Sequence, residues 1–172
     1  MIAIRWERPA DHQRVFEIQS AAFRRRNEAE LVVALRRSTS PQVSLIAEQD
    51  GRSVGHVFFS PVGFDPPAPS LRAAGLAPIA VEPGSQRRGI GSALVRAGLE
   101  RCAALGWRAV FLVGSPAYYS RFGFALAAPQ GFGYGDPRFD AALQALELEP
   151  GALTGCGGRV CFHAAFAETG CG

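Results

Sequence analysis

The sequence predicts a mixed α/β fold, and three observations carry that prediction. Strand-type and helix-type runs follow one another in the order β-α-α-β-β-β-α-β-α-β. The order contains a single crossover, from a fourth strand through a third helix to a fifth strand. At that crossover the stretch Leu76–Ser92, LAPIAVEPGSQRRGIGS, joins a strand to a Gly-rich turn and a helix start.

Taken in order, Met1–Arg5 reads as the first strand. Pro9 and Asp11 open a helix with Asp11 as candidate N-cap, and Val15, Ile18 and Ala22 share one face at helical spacing. Arg24-Arg25-Arg26 suits the solvated C-terminal end of that helix, where cations complement the dipole. Glu28–Arg37 is a second helix with Leu31, Ala34 and Leu35 apolar. Val43–Gln49 and Arg52–Phe64 are strands joined by Asp50-Gly51, a strong hairpin signal. Pleat alternation puts His56 on one face with Val54 and Phe58, and Val57 and Phe59 on the other. Residues 65–72 form a Pro-rich loop.

Leu76–Val81 is the fourth strand. Pro78 cannot donate a ladder hydrogen bond, so a bulge or an unpaired edge is expected there. Gly89–Leu105 is the third helix, ended by Gly106. Trp107–Val113 is nearly all apolar, a strand buried on both faces. Pro116–Phe122 is a short helix and Gly123–Ala127 a sixth strand. Pro129–Pro137 reads as loop, Ala141–Glu149 permits helix or strand, and Arg159–His163 reads as a last strand. No repeat, linker or second domain is visible, so residues 1–172 are expected to be one domain.

With 48% hydrophobic and 19% charged residues, the 172-residue chain can bury a substantial core. No apolar run reaches the ~18 residues of a membrane span. The N-terminus reads as a strand and not a signal peptide, so a cytoplasmic location is expected. The net charge of +3 is modest, and the arginines form no basic stripe with interleaved aromatics, which argues against nucleic acid. Cys102 falls in the third helix. Cys156, Cys161 and Cys171, even with His163, lack a usual zinc spacing, so free thiols and no metal are expected.

The strand–turn–helix at Leu76–Ser92 is a place for phosphate. Glycines let backbone approach closely, and the first N–H groups of a helix offer free donors to an anion. A Walker A loop is excluded, because the chain has no lysine and all 18 basic residues are Arg. A dinucleotide fingerprint is excluded because Leu94 stands where the third Gly would be. The run Gln86-Arg87-Arg88-Gly89-Ile90-Gly91 instead resembles the Gln/Arg-x-x-Gly-x-Gly/Ala loop of the GNAT acetyltransferase superfamily, whose members hold the pyrophosphate of acetyl-CoA there. The element order agrees with the GNAT fold, a mixed central sheet splayed between its fourth and fifth strands and flanked by helices. Gly55–Val62, Gly75–Val81 and Gly114–Phe124 resemble motifs of the YhbS-type branch of predicted N-acetyltransferases. That resemblance extends to Leu146–Leu148 and Pro150–Leu153, covers most of the chain, and implies that Leu143–Leu148 is a strand.

The resemblance implies an acetyl-CoA-dependent acyltransferase. Gln86, Arg87, Arg88, Gly89, Ile90, Gly91 and Ser92 would bind the pyrophosphate, and the backbone of Ile79, Ala80 and Val81 the pantetheine arm. One of those N–H groups could also face the thioester oxygen. Many members carry an Asn after the fifth strand; here Gly114-Ser115-Pro116 stands instead, with Ser115 a weak replacement. Tyr119-Ser120-Arg121-Phe122-Gly123-Phe124 matches the family's Tyr-x-x-x-Gly-Phe, and Tyr119 would lie near the CoA sulfur as general acid. Tyr118 is expected to point elsewhere. The fourth strand has no carboxylate before Glu82, so the base is open among His56, Glu30, Glu82 and water, with His56 favoured by an ordinary pKa near 6.5. The acceptor would be a primary amine of a small molecule or peptide, its pocket shaped by Phe23–Asn27, Phe64–Ala74 and Pro129–Asp140. A homodimer is left open, dimers being common in the superfamily. The other class to weigh is a catalytically silent acyl-CoA-binding module acting as a sensor or partner domain. A serine hydrolase is set aside, because Ser85 and Ser92 have no neighbouring His in sequence.

Overall fold

Alternating burial along the strands builds a sheet with helices on both faces. The computed structural model describes every residue from Met1 to Gly172. The strands are β1 (Ile2–Trp6), β2 (Val43–Gln49), β3 (Arg52–Asp65), β4 (Ala73–Val81), β5 (Ala109–Val113), β6 (Ala125–Leu126), β7 (Phe132–Gly133), β8 (Leu143–Glu147) and β9 (Gly158–Cys161). The helices are α1 (His12–Phe23), α2 (Asn27–Ser38), α3 (Ile90–Ala104), α4 (Pro116–Tyr119), α5 (Pro137–Asp140) and α6 (Ala165–Glu168). The sheet runs β1-β2-β3-β4-β5-β8-β6, and β9 pairs with the far end of β3 and with β7. Pairing within the main sheet is antiparallel except for β4 with β5.

Helix α3 covers one face through Ile90, Leu94, Val95 and Cys102, packed on Leu45, Val57, Phe59 and Val110. Helices α1 and α2 cover the other through Val15, Leu31 and Leu35, packed on Ile46 and Phe58. Period-2 alternation thus splits neighbours such as Leu45 and Ile46 between the two layers. Gly98 sets how closely α3 approaches, since a Cβ there would lie 2.2 Å from the Phe59 ring.

Two bulges shape the site end of the sheet. Ala47 pairs with Gly55 and Glu48 with Ser53, so Val54 is an extra residue. The alternation resets there. Val54 joins Val57 and Phe59, not His56 and Phe58, which corrects the expected face. On β4, Ala77 and Pro78 together oppose Phe58, the bulge expected of a strand proline. β4 pairs with β5 only over Ala73–Gly75 and then runs to Val81 without it, while β5 continues on β8. The sheet is therefore splayed between β4 and β5.

Some local expectations hold in three dimensions and others change. Asp50 and Gly51 both have positive φ, 52° and 78°, the turn that Asp-Gly predicts. Asp11 does not cap α1: its carboxylate takes two hydrogen bonds from Arg5, at 2.7 and 2.8 Å, and one from the Arg8 N–H. The triple arginine is a corner between helices, not one helix end: Arg24 is the left-handed C-cap of α1 and Arg26 the N-cap of α2. Pro129–Pro137 holds the short strand β7. Leu143–Glu147 is a strand despite its helical propensity, because its place between β5 and β6 buries Leu143, Gln144 and Ala145.

Candidate active site

The turn after β4 takes left-handed backbone at two positions, an arginine and a glycine. Arg87 has φ 61° and Gly89 φ 81°, and Gly89 is the N-cap of α3. The Gln86 side-chain amide donates to the Val81 carbonyl at 2.9 Å, tying the turn to the strand end. Glu82 accepts from Arg14 at 2.8 Å and Arg52 at 2.9 Å, so this candidate base is committed to a clamp on the same turn. The first N–H groups of α3 have no partner within the helix and are available to an anion.

A cavity of about 530 Å³ opens at this helix start. Ile79, Ala80, Val81, Gln86, Arg87, Gly89, Ile90, Gly91 and Ser92 all line it, as the sequence reading groups them; Arg88 and Ser115 do not. The Glu82 N–H donates to Val54, and by alternation the N–H groups of Val81 and Ile79 face the gap left by β5. Ser85, Tyr118 and Arg121 also line the cavity, and sequence reasoning missed all three. Tyr118 does point away from Tyr119's surroundings, but into this cavity: its hydroxyl lies 3.4 Å from Ser92 Oγ. The Arg121 guanidinium stacks 4.4 Å from the Tyr118 ring centre and its Nε donates to the Tyr118 carbonyl. Their spacing of three residues in one helical turn was the available signal.

Tyr119, the adjacent residue, faces a second cavity of about 420 Å³ on the other side of the β4 bulge. Ile79 lines both cavities. The Tyr119 ring covers Gly114, where a Cβ would come within 2.6 Å of it, so this turn has room only for glycine. The Gln144 side-chain amide donates to the Gly114 carbonyl at 2.9 Å and holds the turn from β8. Burial, with Tyr118 adding, pushes the Tyr119 hydroxyl up to about 12. It is therefore a protonated donor at neutral pH.

The second cavity takes Phe23 from α1, Glu28 and Leu31 from α2, Ser115 from the turn before α4, and Phe166 and Cys171 from the chain end. The chain end is tied down by Asn27, whose amide donates to the Thr169 carbonyl at 2.8 Å. Of the loops expected to shape an acceptor pocket, only Phe23–Asn27 contributes, through Phe23. Phe64–Ala74 lines a separate groove with Trp107, and Tyr134 another beside β9.

His56 lines neither cavity and is fully buried. Its Nδ1 lies 2.9 Å from the Gln19 amide nitrogen and its Nε2 2.8 Å from Ser44 Oγ. Ser44 donates in turn to Glu7 at 2.5 Å. This chain suits a neutral imidazole with its proton on Nε2, and leaves no ring nitrogen for a substrate. Burial lowers its pKa to about 4, with Arg36 adding and Glu7 opposing. The geometry is that of a structural histidine, so it corrects the expected role as base. Glu30 is exposed and sits 3.7 Å from Arg26.

The buried imidazole has a consequence for acid stability. The unfolded chain takes up a proton at His56 as pH falls through 6.5, whereas the folded chain does so only near 4. Its contribution is fully present above 6.5 and lost as pH falls toward 4. Denaturant midpoints measured across this window are expected to fall by the equivalent of a few kcal/mol, on the order of 1.4 per pKa unit. A His56→Gln variant should show a shallower slope, and a wild-type midpoint flat across the window would refute the assignment.

No cluster of three or more His, Cys, Asp or Glu side chains could hold a metal ion, and all four cysteines are free. The spacing G-x-S-x-G occurs at Gly51–Gly55, but it spans the start of β3 and no helix follows it, so it is not a nucleophile elbow.

A sheet splayed beside a helix start, with a phosphate-type turn on one side and a tyrosine-walled cavity on the other, defines an acyltransferase architecture of GNAT type. The Acetyltransferase (GNAT) domain family matches residues 3–127. The N-acetyltransferase YhbS of Escherichia coli K12 is 37% identical over 164 residues, which cover 95% of this chain and 97% of that protein. The crystal structure of E. coli YhbS in complex with CoA superposes with a TM-score of 0.89 at 35% identity, covering 96% of this chain and 92% of the other. A GNAT family acetyltransferase of Brucella melitensis in complex with acetyl-CoA gives a TM-score of 0.79 at 35% identity, covering 96% and 98%. The chain belongs to the GNAT acetyltransferase family.

Proposed function

We propose that the protein moves an acetyl or other short acyl group from acetyl-CoA to a primary amine of a small molecule or peptide, by direct attack. The observation that carries this reading is the pair of cavities that meet at Ile79, with adjacent tyrosines facing one each. An acyl donor seated along β4 would present its thioester at the junction, where an amine can arrive from the far side. The relatives crystallised with CoA and acetyl-CoA support the donor.

The turn at Gln86–Ser92 would hold the pyrophosphate through backbone N–H groups and Arg87, with Arg121 adding charge from the facing wall. Ile79 and Val81 would pair with the pantetheine amides as a strand does. The neutral amine attacks the thioester carbonyl carbon, a C–N bond forms, and the carbonyl electrons move to oxygen. On collapse the C–S bond breaks and the thiolate leaves. The Tyr119 hydroxyl gives the sulfur its proton, and the proton lost by the amine restores the phenol directly or through solvent. This reading takes residues 1–172 as one catalytic unit working in the cytoplasm. No helix is long and apolar enough to cross a membrane.

Titration calorimetry with acetyl-CoA, CoA and ATP, followed by turnover on an amine panel, tests the reading. Micromolar acetyl-CoA binding with ATP much weaker, and acetylation of at least one amine, is the expected result. Binding without any acetylation would leave a silent acyl-CoA module. Absence of binding would remove the donor assignment.

A further inference from the structure

Resting on that reading, we infer that the acceptor is a primary amine on an apolar, non-anionic body, and that Glu28 is the residue that selects it. The second cavity carries one carboxylate, Glu28, and no arginine lines it. The donor cavity carries Arg87 and Arg121 and no carboxylate. The two cavities are thus segregated by charge, anion-binding on the donor side and cation-binding on the other.

Glu28 is only 5% exposed, a rare state for a charged side chain unless it is paired. Arg25 is the pair: its Nε donates to both carboxylate oxygens, at 3.0 and 3.1 Å, and its Nη2 also contacts Oε1. Arg25 is itself half exposed and covers the carboxylate from the solvent side. A carboxylate has about four acceptor positions and one guanidinium does not fill them. The positions on the cavity side remain for an ammonium or amine N–H. Around Glu28 the wall is Phe23, Leu31, Pro78 and Phe166, which suits an aromatic or aliphatic body. An acceptor bearing its own carboxylate or phosphate would face Glu28, whose one cation, Arg25, is already engaged on that carboxylate and does not line the cavity.

The test uses the intact protein, with acetyl-CoA binding measured first so that a failed donor assignment, which would take this inference with it, is recognised separately. Phenethylamine and tryptamine are then compared with glutamate and O-phosphoethanolamine as acceptors. The two apolar amines are expected to be acetylated with kcat/KM at least about tenfold above the anionic ones. In Glu28→Gln the KM for phenethylamine should rise about tenfold with kcat changed less and acetyl-CoA affinity unchanged, and Glu28→Asp should restore part of the loss. Preference for the anionic amines, no acetylation of the apolar ones by protein that binds acetyl-CoA, or an unchanged KM in Glu28→Gln would each overturn the inference. If Glu28→Gln fails to fold, the wild-type preference decides alone.

Discussion

Gly89→Asp is expected to abolish acetyl-CoA binding while the protein stays folded. Gly89 caps α3 with φ 81°, and a Cβ built there meets no atom within 4 Å. The added Cβ therefore strikes no part of the protein. Its cost to the fold is the left-handed backbone, about 1–2 kcal/mol for an ordinary residue and less for Asp. Its cost to binding is larger. The side chain puts a negative charge at the helix start, where the free N–H groups and Arg87 line the cavity. A loss of acetyl-CoA affinity of at least about a hundredfold, roughly 2.7 kcal/mol, is expected by calorimetry. Gly51→Asp is the matched control. Gly51 has φ 78° and equally open surroundings, but lies in the β2–β3 hairpin turn and does not line the cavity. It should show the same modest drop in stability with normal binding. Normal acetyl-CoA affinity in Gly89→Asp would show that the turn does not hold the pyrophosphate.

Tyr119→Phe is expected to lower acyl transfer at least about tenfold, worth ~1.4 kcal/mol of barrier, with acetyl-CoA binding retained. The ring packs edge-on against Phe124, 5.9 Å between centres, and closes over Gly114. Phenylalanine keeps those contacts, so only the hydroxyl is removed. Because burial pushes that hydroxyl up to about 12, the wild-type rate should show no tyrosine titration between pH 7 and 10. Tyr118→Phe should behave differently, since its hydroxyl borders Ser92 in the cavity at the α3 start. It should weaken acetyl-CoA binding and leave the chemical step alone. A Tyr119→Phe enzyme with full kcat would mean that the thiolate finds its proton elsewhere.

Local sequence signals carried most of the architecture. Asp50-Gly51 placed the hairpin, Pro78 placed the bulge, and Gly89 and Gly106 marked the two ends of α3. The conformation of the Gln86–Ser92 turn was legible for the same reason: it is set by consecutive residues in a short stretch. The Ala141–Glu149 region was ambiguous because its helical propensity conflicts with its place in the sheet.

What the sequence by itself determined is the part whose physics is local: the element order, the bulge where proline denies β4 a ladder bond, and the Gln86–Ser92 turn. Tertiary structure alone decided the rest. A one-residue bulge at Val54 changed which face His56 shares, and the face it occupies closes it between Gln19 and Ser44, away from both cavities. Tyr118 and Tyr119 are neighbours in sequence but sit on opposite sides of β4, a division set by how α4 is held over Gly114. The second cavity joins Glu28 to Phe166 and Cys171, more than a hundred residues apart. Such an assembly depends on where the chain end docks on α2, and contacts made between distant segments leave no pattern in either one.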